Sequence, residues 1–114
     1  MREIKFRAKT KDGVWFYWNI TDPIDMESMK DAMEWETLGQ FTGLKDKNGK
    51  DIFEGDIIKK IKKSSGDIEK KSVVVCDRGA FWAYVGGWDK SSGGIVGLFG
   101  GEVIGNIYEN LELL

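Results

Sequence analysis

This sequence predicts a mostly β chain, folded as a small antiparallel barrel or sandwich-like domain with at most one short helix, and three observations carry the prediction. About six to eight short strand-like runs follow one another at regular spacing, several with apolar and polar residues alternating at a period of two. Gly occurs 15 times and Pro once, so sharp turns depend on glycine's access to positive φ. Hydrophobic residues make up 41% and aromatic residues 12% of the 114, enough apolar side chain to fold one domain around one core.

Taken in order, Ile4, Phe6 and Ala8 alternate with Lys5, Arg7 and Lys9, which predicts a strand with its apolar face buried and its basic face in water. Lys11-Asp12-Gly13 supplies a turn, and Val14-Trp15-Phe16-Tyr17-Trp18 returns as the second strand of a hairpin over about residues 1–20. Its four consecutive aromatics put rings on both faces of the strand, Trp15 and Tyr17 on one and Phe16 and Trp18 on the other. One pair enters the core. The other needs a cover, so these four residues are the expected contacts with a partner protein or a second copy of the chain, unless the next segment folds back over them.

Residues 21–36 form an acidic connecting segment, read as a short helix or an acidic loop. Asp22 is a candidate cap with Pro23 at the first helical position, and Met26, Met29 and Met33 fall at helical spacing and read as core packing.

The β portion runs over about residues 37–114 within one domain. Leu38, Gln40 and Thr42 point one way and Phe41 the other. Asn48-Gly49 predicts a type I′ hairpin turn, and the Lys47-Asn48-Gly49 loop loosely repeats Lys11-Asp12-Gly13. Gly55, within Glu54-Gly55-Asp56, marks a bulge or bend, and Ser64-Ser65-Gly66-Asp67 a third turn. Strands are then expected over 72–76, 80–85 and 103–108, with a glycine- and serine-rich loop over 86–94.

The net charge of -2 hides a gradient: residues 1–20 carry +3, 21–40 carry -5, 57–71 carry +4 and 72–114 carry -3. Opposed patches of this kind suit oligomer or partner contacts. The basic hairpin, with Lys59, Lys60, Lys62, Lys63, Lys70 and Lys71, is the candidate nucleic-acid contact, with Trp15, Trp18, Trp82 or Trp88 as stacking faces. The plainer role of these lysines is a charged edge that blocks aggregation.

Other chemistries are narrowed by composition. There is no histidine, and Cys76 is the single cysteine, which removes His-based catalysis, His metal sites, a structural zinc site and any intramolecular disulfide. Cys76 follows three valines and is expected to be a small buried hydrophobe. Glu54 and Asp56 could form a carboxylate pair, but Glu-Gly-Asp at a bend reads more simply as a solvated turn whose Asp bonds backbone amides. No phosphate-binding glycine loop, cofactor motif or apolar run of membrane-spanning length is present. The N-terminus lacks the continuous apolar core of a signal peptide, so a reducing, cytoplasmic setting is expected.

Two stretches carry a resemblance: Gln40-Phe41-Thr42-Gly43-Leu44-Lys45-Asp46-Lys47-Asn48-Gly49-Lys50-Asp51-Ile52-Phe53-Glu54-Gly55-Asp56-Ile57-Ile58, and Val103-Ile104-Gly105-Asn106-Ile107-Tyr108-Glu109-Asn110. With the opening Arg2-Glu3-Ile4-Lys5-Phe6-Arg7-Ala8 they resemble the YopX-like family of bacteriophage and prophage proteins. The resemblance implies a mostly β protein with an SH3-type barrel portion, made in a bacterial host cell, whose biochemical role is not established and for which no catalytic residues carry over. Family members usually have proline where this chain has Leu111, a departure confined to the tail. The expected function is therefore that of a phage or prophage accessory module that is not an enzyme, works through contacts with a phage or host protein and forms homo-oligomers. A small nucleic-acid-binding β-barrel is the alternative, and a carboxylate-dependent enzyme around Glu54 and Asp56 the third.

Overall fold

A computed structural model of the chain describes residues 3–62, 68–77, 80–85 and 101–113. Eight strands lie among them: β1 (Lys5–Thr10), β2 (Trp15–Asn19), β3 (Met33–Lys45), β4 (Asp51–Phe53), β5 (Asp56–Lys62), β6 (Ile68–Asp77), β7 (Ala80–Val85) and β8 (Glu102–Asn106). One short helix, α1 (Met26–Lys30), and a 3₁₀ turn (Leu111–Leu113) complete the description. The strands form two four-stranded sheets with orders β2-β1-β3-β4 and β7-β6-β5-β8, in which the neighbouring pairs run antiparallel. Among the described residues these two antiparallel sheets are not closed into the expected SH3-type barrel.

The first two hairpins share one loop design. Thr10 N–H donates to the Val14 carbonyl (2.8 Å) and Gly13 N–H to that of Thr10 (2.9 Å). The second loop repeats this, with Asp46 to Lys50 at 2.7 Å and Gly49 to Asp46 at 3.0 Å. This is the three-residue loop in which a tight turn is followed by a left-handed glycine. Asn48-Gly49 is therefore not the centre of a type I′ turn: the turn spans Lys47-Asn48, and Gly49 closes it at φ 83°. Asp46 Oδ1 secures it by accepting from the amides of Asn48 (2.9 Å) and Lys50 (2.8 Å).

Helix α1 is capped by Asp25, which accepts from Glu27 N–H at 3.1 Å, and not by Asp22. Asp22 instead closes the end of β2, accepting from Asn19 N–H at 2.8 Å. Met29 and Met33 pack with Ala8 as a buried cluster ringed by Trp18, Ile24 and Trp35. Met26 is 59% exposed, and Met33 already belongs to β3, so the three methionines do not form one helical stripe. Strand structure resumes at residue 33 rather than 37 because β1 needs a partner there, with Thr10 opposite Met33 and Lys9 opposite Glu34.

A second cluster, Ile52, Ile58 and Val74 with Leu44 and Val103, packs β3 and β4 of the first sheet against β5, β6 and β8 of the second, so the expected single core is two small ones. Cys76 is exposed, because β6 runs on past the buried Val73 and Val74. Strand β8 ends at Asn106, and residues 107–109 turn away from the sheet. Lys63, Trp88, the 64–67 turn and the 86–94 loop lie outside the described residues.

Candidate functional site

The chain passes from one sheet to the other at Glu54-Gly55, and the polar residues gathered around that crossing make the candidate site. Arg7 comes from the face of β1 expected in water, yet it is buried, because the second sheet covers that face. Its Nη2 donates to Asp56 Oδ1 at 2.6 Å, and its guanidinium carbon lies 4.7 Å from the Trp15 ring centre and 4.9 Å from that of Phe53. Asp56 is 1% exposed, and its Oδ2 accepts from Phe53 N–H at 2.8 Å. The expected backbone bond is there, but the solvated turn is not: burial pushes the Asp56 carboxyl above its ordinary range, against the pull of Arg7.

The turn after β8 clasps this crossing. Asn106 Oδ1 accepts from the amides of Tyr108 and Glu109 (both 3.0 Å), shaping the turn that brings Glu109 under β2. Glu109 Oε1 accepts from Asn106 Nδ2 (3.0 Å) and Trp15 Nε1 (2.7 Å), and its Oε2 faces Lys9 Nζ at 3.2 Å. These bonds, that from Asn106 first, hold the Glu109 carboxyl down at about 2. The Tyr108 ring packs on Trp15, with centroids 6.2 Å apart. It also reaches Gly55, where an added Cβ would meet Tyr108 Cε2 at 2.9 Å; with φ at 93°, only glycine suits the position.

Beside the clasp opens a cleft of about 270 Å³, walled by Arg7, Trp15, Tyr17, Lys50, Asn106 and Asn110 among others. A second, shallower cavity of about 320 Å³ lies beyond it, lined by Lys9, Lys11, Glu34, Glu36 and Tyr108 among others. There the Glu34 carboxyl is raised by its hydrogen bond with Glu36.

The four aromatics divide between the two faces as expected. Trp15 and Tyr17 turn toward Arg7 and Phe53, with Tyr17 and Phe53 centroids 5.5 Å apart. Trp18 turns toward Trp35 (6.5 Å) beside the methionine cluster, with Phe16 against it at 5.7 Å. The acidic segment thus covers the Trp18 side within one chain. Phe16 (39%) and Tyr17 (52%) stay exposed, as do Val14 (62%) and Ile20 (61%).

The lysines do sit on one hairpin but not on one face. In register Lys59 stands opposite Lys71, Lys60 opposite Lys70 and Lys62 opposite Ile68, and as neighbours along β5 Lys59 and Lys60 lie on opposite faces. Lys59 also faces Glu102 across β8. Trp82 stands opposite Val75 on β7.

Of the clasp residues the sequence points to Asp56 alone, as a possible partner of Glu54; Arg7, Asn106 and Glu109 carry no such signal, although each lies in one of the stretches that carry the resemblance. Among the described residues, no group of three or more His, Cys, Asp or Glu side chains is placed to hold a metal ion, and no helix is long and apolar enough to cross a membrane. The family model described as YopX protein matches residues 1–114. No curated protein matches the chain.

Proposed function

The chain belongs to the YopX family, and from that premise we propose that it is a non-enzymatic accessory module of a phage or prophage. In this reading it works in the cytoplasm of the bacterial host by protein contact, and pairs with a second copy of itself through β2. The observation that carries the reading is the open edge of β2, the terminal strand of its sheet, flanked by exposed Val14, Phe16, Tyr17 and Ile20. Thr10 N–H bonds to Val14 and Ile20 N–H to Ile4, so the even-numbered residues of β2 face β1 and the N–H and C=O of Trp15 and Tyr17 face outward. Asp22 occupies the Asn19 amide, which limits the open stretch to those two residues.

A twofold partner fits so short an edge. Antiparallel pairing about Phe16 sets Trp15 of each copy against Tyr17 of the other and satisfies all four outward groups. The same operation brings the basic Lys11 end of one hairpin beside the Asp22 end of the other, a complementary charge pattern. Sedimentation at micromolar concentration is the test: a dimer is expected, reduced to monomer by Tyr17→Pro, which removes an outward N–H while leaving the bonds to β1 in place. A wild-type monomer of about 13 kDa would refute the pairing.

One observation favours nucleic acid as a second reading. Lys59 and Lys71, directly opposite each other, repel, and a polyanion laid along β5 and β6 would relieve that repulsion. Affinity for a random-sequence oligonucleotide that falls steeply with salt would move the assignment there.

A further inference from the structure

The cleft beside the Arg7–Asp56 pair has an uneven stock of hydrogen-bonding groups. Its acceptors are spent within the protein. Asp56 takes Arg7 and the Phe53 amide, while Glu109 takes Trp15, Asn106 and Lys9. Asn106 Oδ1 takes two backbone amides, and Asn110 Oδ1 takes a third at 3.2 Å. What remains is donor capacity. Arg7, whose side chain is more than nine-tenths buried, leaves its Nε without a partner. Among the described residues, Lys50 makes no ion pair, and its positive charge bears on Asp56. The charged residues of the lining, Arg7 and Lys50 against Asp56 and Glu109, sum to zero, but Asp56 is held by Arg7 and Glu109 by Lys9 from outside the cleft, so Lys50 is the charge left without an ion pair. The space of about 270 Å³ is worth roughly nine water molecules at about 30 Å³ each, and the Trp15 and Tyr17 rings wall one side.

We propose that this cleft binds an oxyanion, the carboxylate or phosphate group of a small molecule, with Arg7 and Lys50 as donors and the rings of Trp15 and Tyr17 shaping the entrance. A planar guanidinium with an unused N–H is suited to an oxyanion, and the mobile ammonium of Lys50 closes over it as a point charge. The site uses the rings of Trp15 and Tyr17 where the pairing through β2 uses their backbone groups, and it does not require a dimer.

The probes are inorganic phosphate and acetate, titrated separately into the full chain at constant ionic strength and followed by ¹H–¹⁵N NMR. Saturable shifts are expected at the Trp15 indole N–H, the Arg7 Nε–H and the Asn110 side-chain amide, and the tighter of the two probes identifies the group. Lys50→Glu, a change at an exposed position, should weaken the response about tenfold while the rest of the spectrum is preserved. Lys59→Glu, outside the cleft, should leave it unchanged. Shifts that do not saturate, that survive Lys50→Glu, or that fall on the β5–β6 lysines instead of the cleft would overturn the proposal. So would the absence of any shift.

Discussion

Glu109 shows how a single side chain ties the fold to pH. Its carboxyl ordinarily titrates at 4.5 and is held at about 2 in the folded chain. A depressed acid contributes stability that is fully present above its unfolded value and is lost as the pH falls toward the folded one. Asp56 runs the other way: its raised carboxyl binds a proton more readily folded than unfolded, so acidification relieves part of its cost of burial. Asp46 and Asp51 are lowered like Glu109 and set the same sign. The melting temperature should therefore fall as the pH drops from about 5 toward about 2, and Glu109→Gln should flatten that slope while lowering stability at neutral pH. Parallel slopes for wild type and variant, measured by circular dichroism, would show that the clasp does not depend on this charge. None of these electrostatics was legible in the sequence. Alternation alone assigned Arg7 to water, as it does for any basic residue in a half-buried strand, and only the crossing of a second sheet over that face reverses the assignment.

The hairpins were the most legible elements, because turn chemistry is local. Lys11-Asp12-Gly13 and Lys47-Asn48-Gly49 each place glycine where the chain turns left-handed, at φ 89° and 83°. The turn type was misread because Asn-Gly alone does not fix how many residues the loop contains; the ladder on either side does, through Lys45 opposite Asp51. The start of β3 was illegible for a related reason, since Met33 is drawn into the sheet by its pairing partner and not by local pattern. Two glycines now separate backbone strain from steric clash. Gly49 has nothing within 4 Å of an added Cβ, so Gly49→Ala should cost only the left-handed backbone penalty, about 1–2 kcal/mol. Gly55→Ala adds a collision with Tyr108 to the same penalty and should cost clearly more. Equal losses in urea denaturation would mean that Tyr108 moves aside freely, and that the 106–110 turn is no clasp.

At the scale of the whole molecule, two small apolar clusters, one beside α1 and one reaching from Leu44 and Ile52 of the first sheet to Ile58, Val74 and Val103 of the second, are joined by a polar seam. Neither is large. Cooperative folding then depends on what crosses between the sheets: the second cluster itself, the Arg7–Asp56 pair, the bond from Gly55 N–H to the Val74 carbonyl (2.7 Å), the bond from Ile107 N–H to that of Gly55 (2.9 Å), and the Glu109 clasp. Removing one member of a buried ion pair leaves the other charge stranded and costs about 3–5 kcal/mol, more than replacing both with apolar groups. Asp56→Asn should accordingly destabilise the chain, and Arg7→Met combined with Asp56→Leu should recover part of the loss. The distinctive consequence is uncoupling. Ala8 and Ile58 are buried members of the two clusters and lie in interior strands of their respective sheets, so in the wild type their amides should exchange with solvent through the same global opening. In Asp56→Asn the two protection free energies should separate, as one sheet opens while the other persists. Amides that stay matched, each reduced by the full loss of stability, would show that the sheets fold as one unit without the seam, and that the buried pair sets stability but not cooperativity.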